Sequence, residues 1–218
     1  MDKLRVILFP FVFVYSAIVK IRNWFFDKNV FKVKKVNAKV IAVGNINVGG
    51  SGKTPLVIYL AEMLKSQNKK VGVLSRGYGR KTFGYKLVSN GKEILSTVDE
   101  AGDEMFHTVL ECQVPAAVSE NRYEGAKKLI SDTGVNTILL DDAFQHRWIY
   151  RDINILIFEQ KFLNETGFPN HTLLPAGNMR ENFYSIKRAD TLVINRKFTE
   201  RMKTPDSLEK YLNGIKIF

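Results

Sequence analysis

The sequence has only one cysteine, Cys112, among its 218 residues. A single thiol excludes an intramolecular disulfide and offers no cysteine-based metal cluster, so the chain suits a reducing cytosolic compartment. We expect Cys112 to be a small core residue on a helix. Long hydrophobic runs are also absent, because the most apolar stretch, residues 6–19, is shorter than the ~20 residues of an ordinary membrane span.

Acidic residues are outnumbered by basic ones, 22 against 33, which leaves a formal net charge of +11. This excess would fit nucleic acid, anionic lipid headgroups or a phosphorylated substrate. Basic residues are locally dense at Lys32, Lys34, Lys35 and Lys39, but no recognisable nucleic-acid-binding module accompanies them. A nucleic-acid-binding function would rest on charge alone, and we expect no nucleic acid partner.

The most informative stretch is residues 40–54, VIAVGNINVGGSGKT, in which an apolar strand leads into a glycine-rich turn. Glycines let backbone N–H groups approach phosphate oxygens at the start of the following helix. Lys53 would bind the β- and γ-phosphates, and the Thr54 hydroxyl would be a Mg²⁺ ligand. Asn47 stands where the usual pattern has a glycine. The predicted phosphate-binding residues are Asn47, Gly49, Gly50, Ser51, Gly52, Lys53 and Thr54.

A second apolar strand ends in paired carboxylates at residues 137–142, TILLDD. This is the form of a Walker B element, in which one aspartate holds Mg²⁺ and its neighbour orients water or the nucleophile. Asp141 and Asp142 are therefore predicted to face the phosphates. Gln145 and His146 follow from the strand end, which places His146 near the phosphates unless it is a structural histidine.

The order of strands and helices predicts an α/β fold of the P-loop NTPase-like kind, with a mostly parallel sheet flanked by helices. Residues 85–95 are typical of a β-hairpin that turns at Asn90-Gly91, which we expect to be an excursion from the main sheet. Predicted strands cover residues 40–43, 70–74, 115–119, 137–142, 154–158, 191–195 and 215–218, and predicted helices cover residues 55–67, 104–112 and 121–131.

A loop at residues 75–80, SRGYGR, follows a strand at the edge where open α/β sheets bind ligands. Its Arg76 and Tyr78 would suit a phosphate or sugar contact. Asp103 and Glu104 open a helix, where a negative charge is favoured. Simple helix capping and a catalytic carboxylate are both open at this point.

The turn at residues 173–181 ends in Arg180 and Glu181. The arginine could neutralise charge that develops during phosphoryl transfer, and the alternative is a surface loop with a salt bridge.

The N-terminal apolar segment is flanked by Lys3, Arg5 and Lys20 and followed by Trp24. A secretory signal would need a small-residue cleavage site, which does not follow. We expect a helix at the inner leaflet, with its basic residues and Trp24 at the anionic headgroups; a buried core helix is the alternative. Pro10 would kink this helix or end its first segment.

Five motifs occur in order behind this segment: VGNINVGGSGKTP, LSRGYGR, GDE, LLDDAFQHR and LLPAGNMRE. Together they resemble the tetraacyldisaccharide 4'-kinase family, the lipid A kinases, over nearly the whole chain. The resemblance implies transfer of the γ-phosphate of ATP, with Mg²⁺, to the 4'-hydroxyl of tetraacyldisaccharide 1-phosphate in lipid A biosynthesis. It also implies location at the cytoplasmic face of the bacterial inner membrane.

The resemblance implies roles for individual residues. Asp103 matches the family's proposed general base, and the other implied catalytic residues are Asp142, His146 and Arg180. The implied metal ligands are Thr54, Asp141 and Glu104. The residues implied to line the substrate region are Arg76, Tyr78, Gln145 and Glu181.

Members of this family usually continue into a smaller C-terminal part, where a histidine is thought to pair with the aspartate base. The histidines here, His107, His146 and His171, all lie upstream of that part, so either the chain is a fragment or its catalysis is impaired, and we expect a fragment. Residues 1–30 are expected to form a membrane-associated helix and residues 31–218 a P-loop kinase domain.

The main alternative is a membrane-associated P-loop ATPase switch of the partitioning type. Those proteins place a lysine immediately before the paired glycines, where this chain has Val48. A GTPase would need an aspartate that reads guanine, which the Asn195-Arg196-Lys197-Phe198 stretch lacks.

Overall fold

The structure, a computed structural model, describes residues 2–197, 199–200 and 202–218. These residues fall into two compact units, which we name by their place in the chain. The terminal unit contains the residues up to Lys32, Asn45–Gly52 and the residues from Ile155 onward. The central unit contains Val33–Gly44 and Lys53–Asn154.

The secondary structure alternates between helices and strands, as the sequence predicts. The helices are α1 (Asp2–Ile7), α2 (Phe9–Asp27), α3 (Lys53–Ser66), α4 (Val98–Ala101), α5 (Asp103–Cys112), α6 (Arg122–Thr133), α7 (Gln160–Asn164) and α8 (Asp206–Leu212), with a 3₁₀ helix at Phe183–Arg188. The strands are β1 (Lys39–Gly44), β2 (Val71–Ser75), β3 (Lys86–Asn90), β4 (Pro115–Val118), β5 (Thr137–Leu140), β6 (Ile153–Glu159), β7 (Thr191–Asn195) and β8 (Lys216–Ile217).

The strands of the central unit follow the order β3-β4-β2-β5-β1. Strand β5 lies between β1 and β2 and is parallel to both, with Ile138 opposite Val40 on one side and Gly72 on the other. Strand β4 is parallel to β2. Because these strands are parallel, the loops after β2, β4 and β5 emerge at the same edge of the sheet, where such folds bind ligands.

The predicted hairpin is placed differently from the expectation. Strand β3 pairs antiparallel with β4, so it is an edge strand of the sheet and the expected excursion is wrong. The turn at Asn90 does form, since the Asn90 side chain accepts hydrogen bonds from the backbone of Lys92 and Glu93. The returning arm forms an isolated bridge from Ile94 to Ser89, and the Leu95 N–H donates to the Val88 carbonyl oxygen across 2.8 Å, but the arm is not a regular second strand.

Apolar strands and helix faces form the core of the central unit. Leu74, Ile138 and Leu140 from the strands pack with Ala126 and Leu129 of α6. Helix α3 buries Val57 and Ala61. Cys112 is buried at the end of α5, as expected for a small core residue. Burial of these β-branched and aliphatic residues on both sheet faces explains their continuous apolar runs.

In the terminal unit, β7 is parallel to both β6 and β8. An aromatic cluster packs beside these strands, with the Phe162 ring 5.2 Å from that of His171 and the Phe183 ring 4.9 Å from the same histidine. His171 therefore has a packing role, and its Nε2 lies 2.8 Å from the Phe162 carbonyl oxygen.

The N-terminal segment is helical, with α1 ending at Ile7 and Pro10 lying in the first turn of α2. This confirms that Pro10 marks a break. One side of α2 is buried or half-buried, namely residues 12, 15, 16, 19, 22, 23 and 26. The opposite side exposes large apolar residues: Phe11, Phe13, Val14, Ile18, Ile21 and Trp24. No helix in the described part of the chain is long and apolar enough to cross a membrane.

Candidate active site

The glycine-rich loop belongs to the terminal unit and is open at its tip. Gly49 and Gly52 have φ angles of 109° and 94°, which favour glycine. A Cβ added at Gly49 or Gly50 would meet no atom within 4 Å. The backbone there is uncovered, as a phosphate cradle requires.

The base of this loop is fixed by side-chain amides. Asn45 donates from Nδ2 to Oγ of the buried Ser51 across 2.8 Å, and Asn195 donates from Nδ2 to the Ser51 carbonyl oxygen across 3.1 Å. A Cβ on Gly52 would collide with the Asn195 amide. The loop thus combines a fixed base with an accessible tip.

Asn47, which replaces the usual glycine, is buried and forms an antiparallel bridge with Met179. Its φ is not positive, so an L side chain introduces no strain here. This explains why the glycine of the usual pattern is dispensable in this chain.

Lys53 and Thr54 lie in the first turn of α3, in the central unit, and meet the paired carboxylates after β5. Lys53 Nζ lies 3.7 Å from Oδ1 of Asp142. Thr54 donates from Oγ1 to Oδ2 of Asp141 across 3.2 Å. The structure therefore brings together the two halves of the predicted phosphate and metal site.

Asp141 is 2% exposed, and its Oδ1 has no hydrogen-bond partner among the described residues. Burial, together with the negative charges of Asp142 and Glu104, raises the pKa of this carboxyl to about 6. A buried carboxylate with a free oxygen beside a hydroxyl suits a divalent cation, which would offset the unfavourable charge.

No group of three or more His, Cys, Asp or Glu side chains within the described ranges is arranged to hold a metal. This is compatible with Mg²⁺, which usually takes one or two carboxylates and completes its shell with phosphate oxygens and water. Thr54 and Asp141 fit that mode of binding.

Arg122 is a further candidate site residue, which the sequence analysis missed. It is the first residue of α6, after the short loop that follows β4, and is 3% exposed. Its Nη1 donates to the Ser119 carbonyl oxygen across 2.8 Å. Burial lowers the pKa of this guanidinium to about 10, against the supporting charge of Asp142, so it stays charged at neutral pH. Its position after a parallel strand, at the edge that carries Asp141, was the available signal.

The loop with Tyr78 lies against the start of α5. A Cβ on Gly102 would come within 2.5 Å of the Tyr78 carbonyl oxygen, and Gly102 has a φ of 82°. Asp103 and Glu104 follow at once and are exposed, as are Arg76 and Tyr78. The two predicted motifs are therefore neighbours, with exposed carboxylates and an exposed phenol on one edge.

Gln145 and His146 are half-buried in the turn after β5, where the His146 backbone N–H donates to the Ala143 carbonyl oxygen across 3.0 Å. They thus follow Asp141 and Asp142 at the same strand end, as predicted. The substrate contact predicted for Gln145 and the catalytic role predicted for His146 stay predictions.

Arg180 and Glu181 both belong to the terminal unit, but their surroundings differ. The Arg180 backbone N–H donates to the Ile46 carbonyl oxygen across 2.7 Å, at the entrance to the glycine-rich loop. Glu181, expected in the substrate region, is instead 1% exposed. Its Oε2 accepts hydrogen bonds from Asn23, Ser185 and Arg188.

Burial alone would raise the pKa of Glu181, but the charge and hydrogen bond of Arg188 hold it below the ordinary value. The residue is therefore a buried ionised carboxylate with protein partners. These contacts favour structural support for Glu181, and its predicted place in the substrate region stays a prediction.

A glycine-rich loop that enters a helix through Lys53 and Thr54, with paired aspartates after a parallel strand, defines a P-loop protein of the kind that binds nucleoside triphosphates. A comparison with protein-family models shows which family of P-loop proteins this chain belongs to. The chain belongs to the LpxK family, tetraacyldisaccharide-1-P 4'-kinase, whose model matches residues 4–215.

The chain is 44% identical over 192 residues to the tetraacyldisaccharide 4'-kinase of Aquifex aeolicus, covering 88% of this chain and 58% of that protein. It is 39% identical over 206 residues to the same enzyme of Chlorobium limicola, covering 92% and 57%. A crystal structure of LpxK from Aquifex aeolicus in complex with ATP superposes with a TM-score of 0.86 at 40% identity, covering 98% of this chain and 64% of that one.

These comparisons confirm the predicted family and do not favour the partitioning-type ATPase. The chain spans a little over half the length of the curated relatives named above.

Proposed function

We propose that this protein is an ATP-dependent lipid kinase, which transfers the γ-phosphate of ATP to the 4'-hydroxyl of tetraacyldisaccharide 1-phosphate. The observation that carries the proposal is the pairing of Lys53 with Asp142 and of Thr54 with Asp141, in a chain of this family. Phosphoryl transfer depends mainly on positioning and charge stabilisation, which this arrangement supplies.

The phosphate end of ATP would lie on the loop of residues 47–54. Its open glycine backbone donates N–H groups, and Lys53 adds a positive charge for the β- and γ-phosphates. Arg180, whose backbone is bonded to the entrance of this loop, supplies a further cation for charge that develops on the transferred group.

Thr54 and Asp141 would hold Mg²⁺, with Glu104 as a third candidate ligand because its charge acts on Asp141. When bound, the cation neutralises phosphate oxygens. Asp142 holds Lys53 in position, and the buried Arg122 balances the charge of the two aspartates.

Asp103 is the proposed general base for the sugar hydroxyl. It is exposed on the first turn of α5 and directly follows Gly102, which lies against the Tyr78 backbone. A carboxylate there can accept the hydroxyl proton while the sugar oxygen attacks the γ-phosphorus, and the bond from that phosphorus to the β–γ bridging oxygen breaks so that ADP leaves. Arg76, Tyr78 and Gln145 are the proposed contacts of the phosphorylated sugar, and His146 is a proposed catalytic residue beside the phosphates.

The exposed apolar side of α2 supports a membrane-associated role for residues 1–30, with residues 31–218 as the kinase domain. A helix with one apolar side can lie in the interface plane, and the net charge of +11 favours anionic headgroups. We place the protein at the cytoplasmic face of the bacterial inner membrane.

The test is transfer of labelled γ-phosphate from ATP to tetraacyldisaccharide 1-phosphate in mixed micelles. Two proteins are compared: this chain, and this chain extended by the C-terminal part of the Aquifex aeolicus relative. Labelled lipid from either protein supports the proposal. ATP hydrolysis by both proteins without labelled lipid would overturn it in favour of an ATPase switch.

A further inference from the structure

Helices α1 and α2 make polar contacts with a short segment of the terminal unit, Asn178–Glu181. Arg5 donates from Nη1 to Oδ1 of Asn178 across 3.1 Å. Tyr15 donates from its hydroxyl to the Arg180 carbonyl oxygen across 2.9 Å. Asn23 donates from Nδ2 to Oε2 of Glu181 across 2.7 Å. These three contacts are spread along the helices and all reach the same four residues.

The same segment holds the entrance to the glycine-rich loop. The Val48 N–H donates to the Asn178 carbonyl oxygen and the Arg180 N–H donates to the Ile46 carbonyl oxygen, each across 2.7 Å. Asn47 and Met179 form the antiparallel bridge between these bonds. Gly49 and Gly50 follow Val48 directly, so the segment fixes the last residue before the open tip.

Both backbone polar groups of Arg180 are thus hydrogen-bonded: its carbonyl oxygen accepts from Tyr15, and its N–H donates to the Ile46 carbonyl oxygen. Tyr15 is half-buried, and burial followed by the charge of Glu181 raises its pKa, so its hydroxyl stays protonated and donates. On the inward side of α2, the neighbouring positions Val12, Val19 and Phe26 are apolar. Ser16 and Arg22 are also polar residues of this side, but Tyr15 and Asn23 are the ones shown to bond to Arg180 and Glu181.

We propose that Tyr15 and Asn23 are positioning residues for the nucleotide site, which act through Asn178–Glu181 on Arg180 and on the backbone of Ile46–Val48. The proposal rests on the proposed function in taking the loop as the site of ATP. Neither residue is assigned a contact with the nucleotide. Each fixes the segment that sets the conformation of the loop.

The experiment measures the dissociation constant of a fluorescent ATP analogue and, separately, the thermal unfolding midpoint of the nucleotide-free chain. Tyr15→Phe keeps the ring and removes only the donor. Its control is Tyr184→Phe, in the same unit, where the side chain is exposed. We expect Tyr15→Phe to weaken analogue binding by about five-fold, the effect of one lost hydrogen bond, and Tyr184→Phe to leave it unchanged.

Asn23→Leu provides a second variant of similar volume, with an expected loss of binding of the same order. A lower unfolding midpoint with unchanged binding in both variants would show that the contacts only anchor the helix, and would overturn the proposal. Absence of binding by the unchanged chain would be a different result, since it would reject ATP as ligand and the proposed function together.

Discussion

Thr54 donates a hydrogen bond to Oδ2 of Asp141, and the other oxygen of that carboxylate is buried without a hydrogen-bond partner in the described chain. This relationship leaves one buried carboxylate oxygen in the central unit without a hydrogen bond from the described residues. Burying this oxygen without a partner lowers the stability of the cation-free protein, and a bound cation would remove that penalty.

Asp141→Asn should stabilise the cation-free protein at neutral pH. Because burial raises the pKa of Asp141 from 3.8 to about 6, the folded state holds a proton that the unfolded state releases. Stability from this group is therefore present at low pH and is lost as the pH rises from about 4 to about 6. Above that range we expect the variant to gain up to ~3 kcal/mol in the free energy of unfolding.

Urea unfolding between about pH 4 and pH 8 without Mg²⁺ measures this effect. Asp99→Asn is the control, because Asp99 pairs with Lys81 at the surface. Equal pH profiles for wild type and Asp141→Asn would contradict the raised pKa.

Lys53→Ala should abolish phosphate transfer and leave the fold intact. Lys53 is largely covered but lies at a helix start with Asp142 as its partner, so its loss removes charge from the site and little packing. Transfer of labelled phosphate and circular dichroism measure the two outcomes. Lys69→Ala, at an exposed residue, is the control. Retained turnover in the Lys53 variant would reject the phosphate-loop assignment.

Asp103→Asn should lower the chemical step by about 100-fold or more if the carboxylate accepts the hydroxyl proton. Asparagine keeps the shape and removes the basic group, and Asp103→Ala removes both. Single-turnover transfer with saturating ATP isolates this step. Comparable rates for Asp103→Asn and wild type would limit Asp103 to helix capping.

Arg122→Met should destabilise the protein most at neutral pH, because it removes a buried cation from beside Asp141 and Asp142. Near pH 5, where Asp141 is largely protonated, the loss should be smaller. Thermal unfolding at both pH values tests this. Arg122→Lys retains the charge and should lose less, and a pH-independent loss would point to packing alone.

Phe13→Ser should weaken binding to anionic vesicles by roughly ten-fold without lowering the unfolding midpoint, since the side chain is 68% exposed. Vesicle cosedimentation measures the binding. Thr82→Ser lies in the central unit, outside α2, and serves as the control, which should leave vesicle binding unchanged. Unchanged vesicle binding would show that another surface meets the lipid.

Much of the fold could be predicted because local patterns determined it. The run TILL followed by two aspartates gave both a strand and its functional end, and Pro10 marked the break between α1 and α2. The pairing of β3 could not be predicted in the same way. A turn at Asn90 defines a chain reversal, but the choice of β4 as partner depends on packing distant in sequence.

The candidate site shows the same division. Lys53, Thr54 and Asp141 stand in recognisable motifs, whereas Arg122 has no motif and is defined by burial beside two carboxylates. Glu181 stands next to Arg180 in sequence, yet the turn directs its side chain into the protein. Neighbouring charged residues at a turn give no signal of which one is buried.

The distribution of contacts along α2 limits how the protein can meet a bilayer. A helix anchored through Tyr15 and Asn23 on one side can offer lipid only the other side, to a depth of about half its ~10 Å diameter. Deeper insertion would first have to break the hydrogen bonds of Tyr15 and Asn23 to Arg180 and Glu181. The contacts that leave one side of α2 exposed thus also limit how deeply this helix can enter lipid in the proposed membrane-associated role.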